Sequence, residues 1–338
     1  MAGSGKYAGG RLRPSATGIR LAGFGEVSLK LTRAALALVF LTVAAVRGQQ
    51  AVSSITQSRL FTNPAAPGTA SFDANGNALS ESNATTSGDD SFGAQIILKN
   101  QQRPKSFSVF GDAAGFYTNN VDLTPSRTRG DFFLASNVGA AWRPTISSAL
   151  LAEISAASSV FRYDRARELD FERITAGAGL TWLVPHTPEI VAFARYDFTE
   201  LLDSASDQLL QDHAFTIGGQ RTFAFGRSHY LTTGISGVLG ISTPRSQERD
   251  QTGIHAAYHL QITRSLDAAV LYRYAAQFYA EDGRVDHNQT LSLAIGFSVT
   301  YWLHIDASIS AARNDTNRSA FEYDVLNAGS GVRVGIRF

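Results

Sequence analysis

The sequence predicts an all-β protein, a transmembrane antiparallel up-and-down β-barrel of about twelve strands, with about ten to fourteen as bounds because hairpins enter or leave in pairs. Three observations predict it. From Lys105 onward the chain resolves into segments with a two-residue period, each presenting different chemistry on its two faces. The connections alternate between tight turns and longer polar loops. Past residue 48 no apolar run approaches the roughly 20 residues that a membrane helix needs, so strands are left to do any crossing.

Composition agrees. The 338 residues include 30 glycines, only 17% are charged, and the net charge is +1, which disfavours disorder and supplies no net basic footprint for nucleic acid. Cysteine is absent, excluding disulfides, a thiolate nucleophile and Cys-based zinc sites.

At the N-terminus, Arg33 precedes the apolar run Ala34 to Val46, whose only polar member is Thr42. Thirteen such residues span only about 20 Å as a helix, short for a bilayer but right for the core of a secretory signal. Val46 and Gly48 suit a cleavage site, so residues 1–48 are expected to be a signal peptide cut after Gly48; an anchored or buried helix is the alternative. The early Gly3 to Lys6 fragment, GSGK, lacks the preceding strand and following Ser/Thr of a phosphate loop. Residues 49–104, rich in Ser, Asn, Thr, Ala and Gly, read as a flexible polar periplasmic segment, with a plug as the alternative. Within them, Asp73, Asn75 and Asn77 mimic the start of a calcium loop, but Ala84 stands where its last acidic ligand belongs.

Residues 105–338 form the predicted barrel. Its strands are placed at 105–118, 130–143, 148–162, 171–183, 189–199, 213–225, 229–242, 250–262, 266–279, 288–302, 304–313 and 326–338. The clearest alternation sets Leu291, Leu293, Ile295, Phe297, Val299 and Tyr301 against Thr290, Ser292, Ala294, Gly296, Ser298 and Thr300. Alternate connections are tight (RPTIS, VPHTPE, GRSH, TRS, WLHI), and the others longer, among them TELLDSASDQLLQD, AEDGRVDH and NDTNRSAFEYD. Pro104, Pro125, Pro144, Pro185, Pro188 and Pro244 all fall in connections, as a closed ladder requires. Trp142, Trp182 and Trp302 fall at short-turn ends, which predicts one aromatic girdle at a single interface. The short turns recur about every 40 residues, but two long strands per interval and no Trp-Asp signature favour hairpins over propeller blades.

The chain ends on Val332, Val334, Ile336 and Phe338, an alternation closing on an aromatic residue, and in this it resembles bacterial outer-membrane β-barrel proteins. Phe107 to Pro125 resembles the first strand of β-barrel porin families, and the resemblance extends over about 230 residues from Lys105. It implies a bacterial outer-membrane location, a loosely defined channel role and a terminal strand, with Phe338, that acts as the signal read by the barrel assembly machinery. It brings no catalytic residues.

Assigning the more apolar face of each strand to lipid leaves a lumen-lining set. It contains Asp112, Glu153, Arg173, Arg195, Asp197, Asp267, Arg273, Asp306, Arg333 and Arg337, five acids and five bases among small residues. Such a balance predicts weak ion selectivity; a lumen packed by ion pairs is the alternative. His255 and His259 share that face, but i and i+4 lie about 13 Å apart on a strand, so they are expected to be lone lumen histidines, not joint metal ligands. Alternation places Arg221 outward beside Phe223 and Phe225, which calls for either a bulge or a position near the interface. The function expected is passive diffusion of ions or small polar solutes, with no enzyme activity, no cofactor and no metal, and with outer-membrane lipids as surroundings. The alternatives are a membrane-embedded lipid hydrolase, for which no Gly-x-Ser-x-Gly elbow is present, and a non-conducting structural or adhesive barrel.

Overall fold

In a computed structural model, residues 71–72, 78–79, 106–187, 190–226 and 228–338 are described. The proposed signal peptide, nearly all of the 49–104 segment, Lys105, Pro104 and Pro188 lie outside the described residues. Ser71–Phe72 and Ala78–Leu79 pair as a two-residue antiparallel ladder.

Twelve strands follow. They are β1 (Phe107–Thr118), β2 (Asp131–Trp142), β3 (Leu150–Tyr163), β4 (Phe171–Leu183), β5 (Ile190–Asp203), β6 (Gln208–Ala224), β7 (His229–Thr243), β8 (Arg249–Gln261), β9 (Leu266–Tyr279), β10 (Val285–Ser298), β11 (Leu303–Thr316) and β12 (Tyr323–Arg337). Each pairs antiparallel with its neighbours in sequence, and β12 pairs with β1, so the sheet is a closed barrel. Closure leaves no unpaired edge, which is the only way a sheet satisfies its backbone donors and acceptors in hydrocarbon.

The seam runs from Asn327 opposite Thr118 to Arg337 opposite Ser108. One residue further, Phe338 N–H donates to the Phe107 carbonyl at 2.8 Å, and the two rings lie 6.1 Å apart. The last residue is therefore tied to the first strand.

Strict alternation sorts the side chains. Outward positions carry the large exposed apolar residues, among them Ile217, Ile235, Leu239, Ile254, Leu293, Ile295 and Val332. A soluble protein would bury such a belt; here it encircles the molecule. Trp142 ends β2, Trp182 is the penultimate residue of β4, and Trp302 directly precedes β11; all three are exposed at the short-turn rim, Trp142 and Trp182 on the outward face. Pro125, Pro144, Pro185 and Pro244 lie in connections.

The structure corrects the predicted connections. The long polar segment after β5 is mostly strand: β5 runs to Asp203 and β6 begins at Gln208, leaving residues 204–207 as the turn. Likewise β10 begins at Val285 and β11 runs to Thr316, shrinking two more loops. Residues 119–130 remain a long connection. The two rims thus differ less in loop length than in how far polar strand extends past the apolar belt. Outward Arg162 pairs with Glu172, and outward Arg313 pairs with Asp315 at 2.8 Å, both on the long-loop side. The short-turn rim carries Phe107, Phe225, Ile262 and Phe338 outward and exposed, with Arg221 and His229 as its outward polar members.

Arg221 also faces outward and is exposed, and the ladder around it is regular; the register shift in this hairpin lies at Leu201/Leu202 instead. It pairs with Ile190, the first residue of β5, near the short-turn rim, and its guanidinium sits 4.7 Å from the Phe223 ring centroid. Position at the interface, not a bulge, accommodates the charge.

Candidate functional site

Every charged or histidine position expected to line the lumen lies on an inward face, but the interior is divided into unlike sectors. On the β1–β5 wall the ions are knitted together. Arg195 Nη1 donates to Glu153 Oε1 at 2.6 Å, its Nε donates to Asp197 Oδ1 at 2.7 Å, and its Nη2 donates to Ser155 Oγ at 2.9 Å. Arg143, from the β2–β3 turn, reaches the second oxygen of Glu153. Asn137 donates to Asp112 Oδ1 at 3.2 Å and accepts from Ser159 Oγ at 3.0 Å. Arg173 lies between these groups, within electrostatic reach of Asp112 and Asp197. A guanidinium with two carboxylates and a hydroxyl has most of its donors satisfied, so it is rigid as well as neutralised.

Near the short-turn end of the other wall, Arg333 approaches Asp306 at 3.9 Å, and Arg337 stands opposite Ser108. The His304 imidazole and the Asp267 carboxylate both lean over Gly296, and a side chain there would have to displace them. Ser298 Oγ and His304 Nδ1 lie 3.0 Å apart. This Ser and His pair faces the interior, on the opposite side of the sheet from the apolar belt, so it does not meet the geometry of a lipid hydrolase, whose nucleophile must reach an acyl ester outside.

His255 and His259 are separated by a full inward position at Ala257, and they face different neighbours. The His255 ring lies over Gly234, while His259 sits 6.4 Å from the Tyr230 ring. Among the described residues no group of three or more His, Cys, Asp or Glu is arranged to hold a metal.

Sequence reasoning missed two features. Inside the β1–β6 sector, at the long-loop end, Phe133, Phe161, Tyr163, Leu169, Phe171, Leu201 and Leu210 form a buried apolar cluster. Phe161 stacks on Phe171 at 4.3 Å, and Phe116 on Phe133 at 5.4 Å. A second buried apolar cluster, Leu123, Ala312, Tyr323 and Val325, lies on the β11–β12 side, so the interior is not polar throughout. The second missed feature is a set of inward ions at strand starts that had been assigned to loops: Arg249, Asp286 and the connecting residue Arg284. Arg284 is sandwiched between rings, 3.4 Å from the Tyr279 centroid and 4.0 Å from that of Phe321.

On the long-loop rim, Arg129 ties two connections together, donating to Asp122 at 2.9 Å and to Glu168 at 2.7 Å. Hydrogen bonds donated to Glu168 and Asp122 hold the guanidinium pKa above its ordinary value. For Glu168, partial burial acts to raise the carboxyl pKa, but the Arg129 hydrogen bond and charge outweigh it, and the net shift is downward.

No family model matches this chain, and no curated protein matches it. Among solved structures, an outer membrane channel from Pseudomonas putida F1 aligns at 7% identity over 70% of this chain and 97% of that one, with a TM-score of 0.51. An anion-selective porin from Comamonas acidovorans aligns at 7% identity over 68% and 99%, with a TM-score of 0.38. The translocator domain of the autotransporter NalP from Neisseria meningitidis aligns at 7% identity over 69% and 90%, with a TM-score of 0.42. At these identities the likeness is one of fold, and the first alignment carries it. The chain has the closed, twelve-stranded antiparallel barrel fold, and its structural neighbours include bacterial outer-membrane porins and channels as well as autotransporter barrels.

Proposed function

We propose that this protein is an outer-membrane channel through which ions or small polar solutes diffuse passively. The observation that carries the reading is the division of side chains by a closed sheet, with apolar residues outside and charged, amide and hydroxyl groups inside. Outward Ile, Leu and Val are stable against acyl chains, and inward ions at this density require water or one another. The short-turn rim, with its tryptophans, would face the periplasm, and Phe338 would serve the barrel assembly machinery as a terminal signal. No step of bond making is involved; the solute exchanges hydration for contacts with the wall and leaves again.

A non-conducting barrel is the second reading, favoured by the Phe116, Phe133, Phe161 and Phe171 stack that closes one sector. Planar-bilayer recording of the refolded full chain separates the two. Discrete, ohmic open steps support the channel, and a silent bilayer with correctly folded protein supports the non-conducting barrel. Release of fatty acid from the bilayer lipids would instead revive the hydrolase.

A further inference from the structure

The interior carries its charge unevenly. Arg195 meets two carboxylates, whereas the inward faces of β8 and β9 present Arg249, His255 and Arg273 with Gln251 and Gln277. The inward residues of β7 and β8 include no carboxylate, and the one on β9, Asp267, lies at the far, short-turn end. Arg284 joins the column from the β9–β10 connection. Its partner Asp286, at 3.4 Å, is the one carboxylate in the group, and both are only 4% exposed. Arg249 lies close enough to repel both Arg284 and Arg273, and Arg273 close enough to repel His255.

Three nitrogens in this column lack a hydrogen-bond partner among the described residues: Arg249 Nη1, Arg284 Nε and His255 Nε2, the last in a residue only 5% exposed. Nearly every buried polar atom in a folded protein finds a partner, and buried like charges are held together only where something of opposite sign joins them.

We propose that this column is a binding site for a small oxyanion, a phosphate or a carboxylate. The guanidiniums of Arg249 and Arg273 supply forked donors and fixed charge, the Gln251 amide, which accepts from Gln277 Nε2 at 3.4 Å, supplies a neutral donor, and the His255 ring supplies one more in the tautomer that carries its proton on Nε2. The site rests on the water-filled interior of the channel reading for access, but its occupancy does not depend on conduction.

The test is thermal unfolding of the refolded full chain in detergent, in inorganic phosphate, in acetate and in chloride, at equal ionic strength. Binding to the folded state alone raises the unfolding temperature by several degrees at about 100 times the dissociation constant. Native protein is expected to show that rise in phosphate or acetate over chloride, with the larger of the two identifying the anion class. Arg249→Gln and Arg273→Gln lose most of the rise, Arg249→Lys and Arg273→Lys keep part of it and guard against a folding defect, and Arg264→Gln, in the exposed β8–β9 turn, keeps all of it. Equal unfolding temperatures in the three salts, or an equal rise in every variant, overturn the site. Bilayer recording of the same preparations separates the two readings: phosphate stabilisation without conductance sinks the channel and keeps the site, and conductance without stabilisation does the reverse.

Discussion

The backbone N–H of Phe338 lies 2.8 Å from the carbonyl oxygen of Phe107, so the last residue of the chain is bonded to the first residue of the first strand. Removing residues 336–338 takes away the Ile336 and Arg337 pairings with Val109 and Ser108 and exposes a sheet edge at the short-turn rim. The truncated chain is expected to refold more slowly and to lose about 2 kcal/mol of unfolding free energy. Urea titration in lipid vesicles, followed by heat-modifiable gel mobility, reads both.

Leu293 and Ser292 are neighbours on β10 that face opposite ways, Leu293 outward at 46% exposure. Leu293→Arg is expected to cost about 2–4 kcal/mol in a bilayer, the penalty for a cation on the lipid face near mid-depth, and Ser292→Arg less than about 1 kcal/mol. Equal costs in vesicle-based urea titrations would remove the lipid from the account.

Arg195→Gln leaves Glu153 and Asp197 facing each other's charge in a partly buried wall. A loss of about 2 kcal/mol is expected, reduced from a fully buried pair because water reaches these side chains. The double variant Arg195→Gln with Glu153→Gln is expected to recover part of that loss, and the coupling in a double-mutant cycle measures the ion pair itself.

The Arg129 clamp predicts an acid-sensitive rim. The Glu168 carboxyl is shifted downward in the folded state, so its contribution is present above the unfolded pKa, near 4.5, and is lost as pH falls through the lower folded value. Hydrogen exchange of residues 119–130, corrected for its intrinsic pH dependence, is expected to accelerate below about pH 4 in native protein. In Arg129→Gln it should be fast at every pH.

Much of this was legible in the sequence for a physical reason. A strand with unlike surroundings must alternate, so the face of Asp112, Glu153, Asp197 or Arg273 follows from its parity alone, and all twelve strands could be placed. Where both surroundings are apolar the signal vanishes. Phe132 and Phe133, or Val160 and Phe161, are consecutive apolar residues on opposite faces, and nothing in their order reveals that Phe133 and Phe161 build an interior cluster. Strand beyond the apolar belt is hidden for the converse reason: around Leu201 and Leu210 the outward residues mix Glu200, Leu202 and Gln211 and the register shifts at Leu201/Leu202, so a hairpin reads as a loop. Arg249 and Asp286 were missed because they sit where strands start, at the limit of any boundary drawn from periodicity.

The central claim is that one face of this closed sheet meets acyl chains and the other meets water. The chain has no cysteine, so single cysteines placed in turn from 289 to 295 along β10 report each position without background. In lipid vesicles, a membrane-impermeant, water-soluble maleimide applied from both sides should modify positions 290, 292 and 294 and spare 289, 291, 293 and 295. A nitroxide attached to the lipid tails should quench fluorophores at the spared positions nearest mid-depth. Uniform modification along the strand, or quenching with no two-residue period, would contradict the account.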